Sequence, residues 1–388
     1  MSRCWKSCWH PFRLGSGIFL INLVTAPPAI RAQAAVLPPA LELRVPKPPT
    51  VATAEGNSFL AYELHVTNFA RNTLTLKKVE IAAAEGERRV LLTLSDSALV
   101  RAISRPAVQL PAAERATLAS GLRAVVYLWL PLDGGPPPAA LQQRLTIESG
   151  SGDSLRTQSI DGPGVTVFPV ASAIGPPLRG GVWFTANGPM AESGHRRALV
   201  IIGTATIAQR FAIDYVKVAD DHRTFSGDQL KNESYHAYGS EALAVADGRV
   251  VAVKDSIPEN VPGPASRAVP ITLETVGGNH VIIDIGEGRY AFYAHLQPGS
   301  LQVKLGQLVK RGQVVGLVGN SGNSTEPHLH FHLADGTSPL GSEGIPYGYE
   351  SFELIGRCAT FGFGCLRGAP ELRKAELPLG NRLVRFRE

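Results

Sequence analysis

The sequence predicts an all-β protein with two domains. Apolar and polar residues alternate over short runs, which is the period of a half-buried strand, and Gly, Pro, Asn and Asp separate these runs. Patterns with a helical period are scarce. The 388 residues are enough for two domains with ordinary hydrophobic cores.

Residues 1–34 have the pattern of a signal peptide. Basic residues such as Arg3 and Arg13 precede or border an apolar stretch over 14–26, which is short for a membrane span, and Ala-Gln-Ala at 32–34 fits a cleavage site. An uncleaved N-terminal anchor is the alternative. We expect an exported protein of the periplasm or the extracellular cell wall, with a mature start near Ala35 and no membrane span after signal cleavage.

The positive charge of the chain belongs largely to this leader. The formal net charge falls from +5 to +1 without it, because four of the 38 basic residues and none of the 33 acidic residues lie there. No basic helix or aromatic-basic surface follows. The composition therefore gives no support to a nucleic-acid partner.

Residues 35–170 are predicted to form a β-sandwich accessory domain. In the run over 59–67, Leu60, Tyr62 and Leu64 share one face, so we expect His65 on the opposite face to lie at the surface and Trp129 to be a core residue. No catalytic grouping occurs in this half. Further strand-like runs cover 74–81, 90–94, 124–132 and 141–147.

Residues 171–388 are predicted to form a second all-β domain, after a linker around 165–178. Eight of the ten histidines lie in this half, so we expect the chemistry there. Cys358 and Cys365 bracket a short loop that a disulfide could close, and a pair of thiolate metal ligands is the less favoured alternative. Strand-like runs cover 199–202, 207–218, 242–253, 278–285, 289–295 and 314–318.

The most informative stretch is His-Leu-His-Phe-His at 328–332, after a Gly/Asn/Ser turn. On a strand, His328, His330 and His332 share one face, and the apolar residues between them point into a core. Neutral imidazole is the commonest zinc ligand in proteins. The pattern favours a metal site over a solvated strand face that happens to carry histidines.

Two other residues could join this site. Asp214 shares a predicted strand face with Arg210, so it is either a metal ligand or the partner of that arginine in a salt bridge. His295 ends an apolar run before a Pro-Gly turn, a position that suits a functional site and a core or capping role equally well.

Several motifs together resemble the lysostaphin/LytM-type zinc metallopeptidases over roughly residues 180–350. The resemblance implies an antiparallel β-sheet catalytic domain, bound Zn²⁺, and hydrolysis of peptide cross-links in bacterial peptidoglycan. It also implies Asp214 and His330 as zinc ligands and His295 and His328 as catalytic residues. The motifs are Ala-Ile-Asp at 212–214, Ala-Asp-Gly-x-Val at 246–250, Tyr-Ala-His-Leu at 293–296, Gly-Asn-Ser-Gly at 319–322 and Pro-His-Leu-His-Phe at 327–331.

Arg210 occupies the position of the family's first ligand histidine, and a guanidinium cannot bind zinc. If residues 199–202 and 207–210 form a hairpin with Leu199 opposite Arg210, the register continues to His195 opposite Asp214. We therefore predict His195 as the replacement ligand. His236 and His332 are further candidates.

Arg210 also keeps an alternative open: a catalytically inactive member of the family that binds peptidoglycan or activates a partner cell-wall hydrolase. The presence of Asp214, His295, His328 and His330 argues against it. A biotinyl or lipoyl carrier would need a lysine at a hairpin tip, and none is suitably placed. Without a Gly-x-Ser-x-Gly elbow or a P-loop, serine hydrolase and nucleotide-binding functions have no support.

Overall fold

A computed structural model describes residues 39–86, 88–106, 108–170, 173–201, 203–265, 267–361 and 363–387. This part of the chain is nearly all β, as the alternation of apolar residues predicts. The proposed leader at 1–34 lies outside the described residues. Among those residues, no helix has the length and apolar character needed to cross a membrane.

The first half contains two five-stranded antiparallel sheets that share a core. The elements of this half are β1 (Leu41–Arg44), β2 (Ala52–Ala54), β3 (Asn57–Asn68), β4 (Leu74–Ala83), β5 (Val90–Ser95), α1 (Asp96–Ala102), β6 (Ile103–Ser104), α2 (Ala112–Arg115), β7 (Thr117–Leu118), β8 (Arg123–Pro131), β9 (Ala140–Ser149), a 3-10 turn at Gly152–Ser154, and β10 (Arg156–Thr166). One sheet has the order β1-β3-β8-β6, with β2 paired to β3. The other sheet has the order β10-β9-β4-β5, with β7 paired to β4.

Strand β3 is buried on both faces. Leu60, Tyr62 and Leu64 point into the core between the two sheets, as expected from their alternation. On the other face, Phe59 joins the core of the second half of the chain. His65 on that face is 3% exposed, so its predicted surface position is wrong. The sequence pattern shows that this face differs from the sandwich core, but not that a second layer covers it.

Trp129 belongs to the same contact region. Its ring stacks on Phe59 with the ring centroids 4.2 Å apart, and it packs, partly buried, against the core of the second half. It is therefore not a residue of the sandwich core, but a partly buried residue at the edge of the second core. The described residues from Pro39 onward form one compact unit.

The second half is organised around an eleven-stranded antiparallel sheet of order β19-β16-β17-β18-β21-β14-β11-β25-β23-β24, with β22 paired to β21. Two small two-stranded sheets, β12-β13 and β15-β20, accompany it. The elements are β11 (Val182–Ala186), β12 (Leu199–Ile201), β13 (Thr204–Thr206), β14 (Ile213–Val218), a 3-10 turn at Asn232–Ser234, β15 (Glu241–Leu243), β16 (Gly248–Lys254), β17 (Asn279–Asp284), β18 (Tyr290–Leu296), β19 (Leu308–Val309), β20 (Val314–Leu317), β21 (Leu329–Ala334), β22 (Gly344–Ile345), β23 (Phe352–Arg357), β24 (Leu366–Arg373) and β25 (Arg382–Arg385).

The four central strands, β18, β21, β14 and β11, bring the candidate site residues together. Asp214 lies opposite His330 across β14 and β21, and Ala294 lies opposite His330 across β18 and β21. The strand predicted over 207–218 begins only at Ile213, because residues 207–212 form turns. Cys358 and Cys365 form the expected disulfide in the loop after β23.

Candidate metal centre and active site

The centre of the site is built by strand pairing. In β21, Leu329 and Phe331 are fully buried in the core, so His330 points to the opposite face. Asp214 on β14 faces it, and His330 Nδ1 lies 2.8 Å from Asp214 Oδ1. Both side chains are nearly inaccessible to water. Since cross-strand neighbours are in direct contact, this pair follows from the register.

His195 reaches Asp214 by a different route from the one expected. Leu199 pairs with Thr206 and not with Arg210, so the predicted hairpin register is wrong. On β14, Asp214 is flanked by His330 and Ala186 and has no place for a strand carrying His195. The turn after β11 supplies the histidine instead, and His195 Nε2 lies 3.2 Å from Asp214 Oδ2.

Hydrogen bonds hold the ring of His195 in this position. Its Nδ1 lies 3.0 Å from the carbonyl oxygen of Asn187, which also accepts a bond from Ser193 Oγ at 2.8 Å. A neutral ring that donates Nδ1–H to this carbonyl keeps its lone pair on Nε2, the atom that faces Asp214.

We call His195, Asp214 and His330 the histidine cluster. One ligand atom from each lies within 4.8 Å of the others. Ligands 2.0–2.1 Å from a tetrahedral zinc ion are about 3.3 Å apart, close to the contacts that Asp214 makes with the two histidines. Two imidazoles and one carboxylate are also a donor set that zinc accepts. The residues therefore fit a zinc ion, with a position left for water or substrate.

His295 enters the site through an irregularity in its strand. Strict alternation would turn it to the side of Tyr293, which is buried in the core. The register between β17 and β18 shifts between Asn279 and Val281, and His295 has φ of +66°. A bulge of this kind redirects a side chain, and left-handed backbone at a non-glycine residue is typical of functional sites.

His295 and His328 form a pair, with ring centroids 4.8 Å apart. The Nδ1 of His295 lies 2.8 Å from the carbonyl oxygen of Ser321, and that of His328 lies 2.8 Å from the carbonyl oxygen of Glu326. Each neutral ring therefore carries its proton on Nδ1 and leaves Nε2 available as a base.

Burial and charge separate the pKa values in the site. Burial favours a raised pKa for the Asp214 carboxyl, but His195 and His328 outweigh it and hold the pKa well below its usual range. Burial, reinforced by His328 and His330, holds the pKa of His295 well below its usual value. Burial opposes protonation of His328 too, but Asp214 outweighs it and raises that pKa.

His332 lies behind the histidine cluster. Its Nδ1 is 3.0 Å from His330 Nε2, and its ring stacks on Phe292 at 4.5 Å between centroids. Among the described residues, its buried Nε2 has no hydrogen-bond partner. His332 thus contacts His330 rather than joining the three residues around Asp214. His236 lies apart from the cluster, with Nε2 3.4 Å from Ser226 Oγ.

Two contacts of the cluster were not anticipated from the sequence. Asn187 donates a hydrogen bond from Nδ2 to Asp214 Oδ2 at 2.9 Å, and Gln209 Nε2 lies 3.4 Å from His330 Nε2. Asn187 follows β11 with a left-handed φ of +49°, which its residue type tolerates. No spacing rule marks either residue, because both positions depend on turns.

Arg210 does not contact Asp214. Its guanidinium donates to Glu63 Oε2 at 2.7 Å, to Glu343 Oε2 at 2.6 Å and to the carbonyl oxygen of Gly344 at 2.6 Å. The salt bridge to Asp214 considered from the sequence is therefore absent among these contacts. A role in holding the Asp214 carboxylate directly, or in binding a substrate carboxylate, has no support because the side chain is 4% exposed and already paired.

A cleft of about 380 Å³ opens onto these residues. His195, Asp214 and His330 line it together with His295 and His328, and His280 and His332 contribute to its wall. A cavity with a few convergent polar groups is the usual form of an active site. The five residues predicted for the site are thus in one cleft.

Comparisons with known proteins identify a family that part of the chain resembles. Residues 234–341 match Peptidase family M23. Peptidoglycan DD-endopeptidase ShyA of Vibrio cholerae is 48% identical over 56 residues, or 14% of this chain and 13% of that protein. Lysostaphin of Staphylococcus simulans is 43% identical over 56 residues, or 14% of this chain and 11% of that protein. This chain thus spans only a small part of the length of these curated relatives.

A solved structure of the catalytic domain of the prophage-encoded M23 protein EnpA from Enterococcus faecalis, a mutant, is 25% identical with a TM-score of 0.27, and the match covers 44% of this chain and 92% of that one. The family match contains His295, His328 and His330, whereas His195 and Asp214 precede it. Over residues 234–341 the chain thus matches peptidase family M23, and lysostaphin is among the proteins to which it is similar.

Proposed function

We propose that the protein is a zinc-dependent endopeptidase that hydrolyses peptide cross-links of bacterial peptidoglycan. The observation that carries the proposal is the histidine cluster, whose three ligand atoms converge in a cleft shared with a second pair of histidines. The similarity to a peptidoglycan DD-endopeptidase supports the substrate class.

In this proposal, His195, Asp214 and His330 hold the metal. A bound Zn²⁺ would supply Lewis acidity, which lowers the pKa of water toward ~7 and polarises a peptide carbonyl. The Nδ1 of His195 is held at 3.0 Å by the carbonyl of Asn187, so its Nε2 is presented to the metal position without further reorganisation.

The remaining two histidines divide the proton transfers. His295 has a pKa well below its usual value, so it is neutral near pH 7 and can accept a proton at Nε2. His328, whose Nε2 lies 3.5 Å from Asp214 Oδ1, is placed to stabilise negative charge on the substrate oxygen when its ring is protonated. The carbonyls of Ser321 and Glu326 orient the two rings through Nδ1.

We propose that the protein acts after export, in the periplasm or at the cell wall. The signal-peptide pattern of residues 1–34 supports this, as does the Cys358–Cys365 disulfide, because such bonds persist in oxidising compartments. We assign residues 35–170 as an accessory domain and residues 171–388 as the metallopeptidase domain. Peptidoglycan peptide is the proposed partner, and a cell-wall protein could be a second one.

The alternative is an inactive family member that binds peptidoglycan or activates a partner hydrolase. Its main support was Arg210, and the 3.2 Å contact of His195 Nε2 with Asp214 Oδ2 weakens that support, because it offers His195 as the third ligand. The two functions differ in whether the protein holds zinc and whether it releases peptide fragments by itself.

Metal analysis tests the proposal directly. We expect about one zinc per chain in the wild type and in the control His236→Ala, and substantial loss in His195→Ala and His330→Ala. The same samples are then incubated with purified peptidoglycan, and released peptides are measured. Full zinc occupancy in His195→Ala would remove His195 from the ligand set. A zinc-loaded wild type that releases nothing would favour the inactive alternative.

A further inference from the structure

A second buried cluster lies directly beside the histidine cluster. It consists of Glu63, Arg196, Arg210 and Glu343, and we call it the arginine cluster. Glu63 comes from β3 of the sandwich, and the other three come from the second half of the chain. The side chains of Glu63, Arg196 and Arg210 are at most 4% exposed.

Glu63 binds both arginines at once. Arg196 Nε donates to Glu63 Oε1 at 2.7 Å, and Arg210 Nη2 donates to Glu63 Oε2 at 2.7 Å. Arg196 Nη2 also donates to the carbonyl oxygens of Tyr62 and Leu128, at 2.9 and 2.8 Å. One sandwich carboxylate and two sandwich carbonyls therefore fix these guanidinium groups in a planar, directed geometry.

Each arginine belongs to a segment that carries a member of the histidine cluster. Arg196 is the residue after His195, in a turn where the Arg197 amide donates to the His195 carbonyl at 3.0 Å. Arg210 lies four residues before Asp214, in the turns that lead into β14. No strand pairing holds His195. Arg196 attaches this turn to the sandwich through Glu63 and two carbonyls, and the Ala198 amide adds a hydrogen bond to Tyr127 Oη at 2.8 Å.

We propose that Glu63 is a positioning residue that places His195 and Asp214 for metal binding through Arg196 and Arg210. The sandwich is then a structural component of the metal site, and not only an accessory domain beside it. In this scheme, Arg210 stands where the family has a ligand histidine, but its role is to anchor the segment that leads into β14, and it does not bind the metal. The inference rests on the proposed function where it invokes zinc, and on geometry alone where it concerns the two segments.

The test compares Glu63→Gln with the matched variant Glu343→Gln in the purified protein. Glu343 also binds Arg210, but it does not contact Arg196, so its variant keeps the attachment of the His195 turn. Zinc affinity of the metal-free protein is measured by competition with a chelator. We expect the dissociation constant to rise at least tenfold in Glu63→Gln and less than threefold in Glu343→Gln, as for loss of a group that orients a ligand.

Amide hydrogen exchange of residues 187–198 and 207–214 gives a second readout that needs no metal. We expect faster exchange in these segments in Glu63→Gln, with unchanged protection in β17 and β18. Should Glu63→Gln fail to fold, Glu63→Asp keeps the charge but shortens the side chain, and the same criteria apply to it. Unchanged zinc affinity together with unchanged exchange would overturn the inference. A wild type that binds no zinc would instead overturn the proposed function, and exchange alone would then decide.

Discussion

The histidine cluster and the arginine cluster are neighbours in the chain, but they differ in how their charges balance. In the arginine cluster, two guanidinium groups face two carboxylates, so the formal charges cancel within the protein. In the histidine cluster, one carboxylate faces two imidazoles that are neutral in their ordinary form. The first cluster is complete without a ligand, whereas the second has lone pairs that converge on a common point, which suits a cation.

Removal of the metal is expected to distinguish the two clusters most strongly, because only the histidine cluster is proposed to hold it. Chelation is expected to abolish peptide release and to lower the thermal unfolding temperature, because a ligand at ~1,000 times its dissociation constant stabilises the folded state by about 4 kcal/mol. Thermal unfolding with and without added zinc measures this. His330→Ala serves as the control, and a zinc-dependent shift in that variant would mean that the ion binds elsewhere.

The next largest effect is expected from His295→Ala, which leaves the histidine cluster intact. The variant should retain zinc while kcat falls by about a thousandfold, the middle of the range for loss of an acid–base group. Steady-state kinetics on a defined cross-link peptide, together with metal analysis, measures both quantities. Activity within tenfold of the wild type would exclude His295 as the proton acceptor.

Breaking the arginine cluster should act on stability. Arg210→Met leaves Glu63 and Glu343 without one of their cations, and loss of one partner from a buried ion pair costs about 3–5 kcal/mol in the free energy of unfolding. The matched control is Lys47→Met. Lys47 and Asp335 also join the two halves of the chain, but they are about one-third exposed, so the cost is expected to stay below about 1 kcal/mol.

Denaturant unfolding of both variants gives the free energies. Equal losses of unfolding free energy in Arg210→Met and Lys47→Met would show that the buried arginine cluster contributes no more to stability than the exposed pair does.

The smallest expected effect concerns His332. When Nδ1 of His330 binds a metal, its Nε2–H can donate to His332 Nδ1 across the 3.0 Å contact. His332→Leu removes that acceptor, and we expect zinc affinity to fall by about 10–100-fold. His280→Leu is the control, since His280 lines the same cleft but directs Nδ1 to the carbonyl of Gly278 at 2.9 Å. Similar zinc affinities in both variants would show that His332 does not orient His330.

Local pattern predicted the parts of the site that depend on one strand. The alternation in β21 places Leu329 and Phe331 in the core and His330 on the opposite face, and the structure has this arrangement. The all-β fold and the sandwich face of Leu60, Tyr62 and Leu64 followed from the same period. These features depend on residues two positions apart, which a sequence displays directly.

The features that escaped prediction depend on turns and on distant partners. His195 was selected through an incorrect hairpin register, and the turn that actually delivers it has no periodic signal. The partner of Arg210 is Glu63, 147 residues earlier in the chain, so a salt bridge to nearby Asp214 was the natural but incorrect alternative. The bulge that redirects His295 could not be read from the alternation that it interrupts.

Strand β3 has one consequence for protein engineering. Its even-numbered residues fill the sandwich core while Glu63 points the other way, so the two sets of contacts share a single register. Inserting one residue before Glu63 would exchange the two faces and bring apolar side chains against the guanidinium groups. A chimera that transplants the second half of the chain should therefore carry the outward face of β3 with it, because removal of Glu63 takes the carboxylate from Arg196 and leaves Arg210 with Glu343 alone.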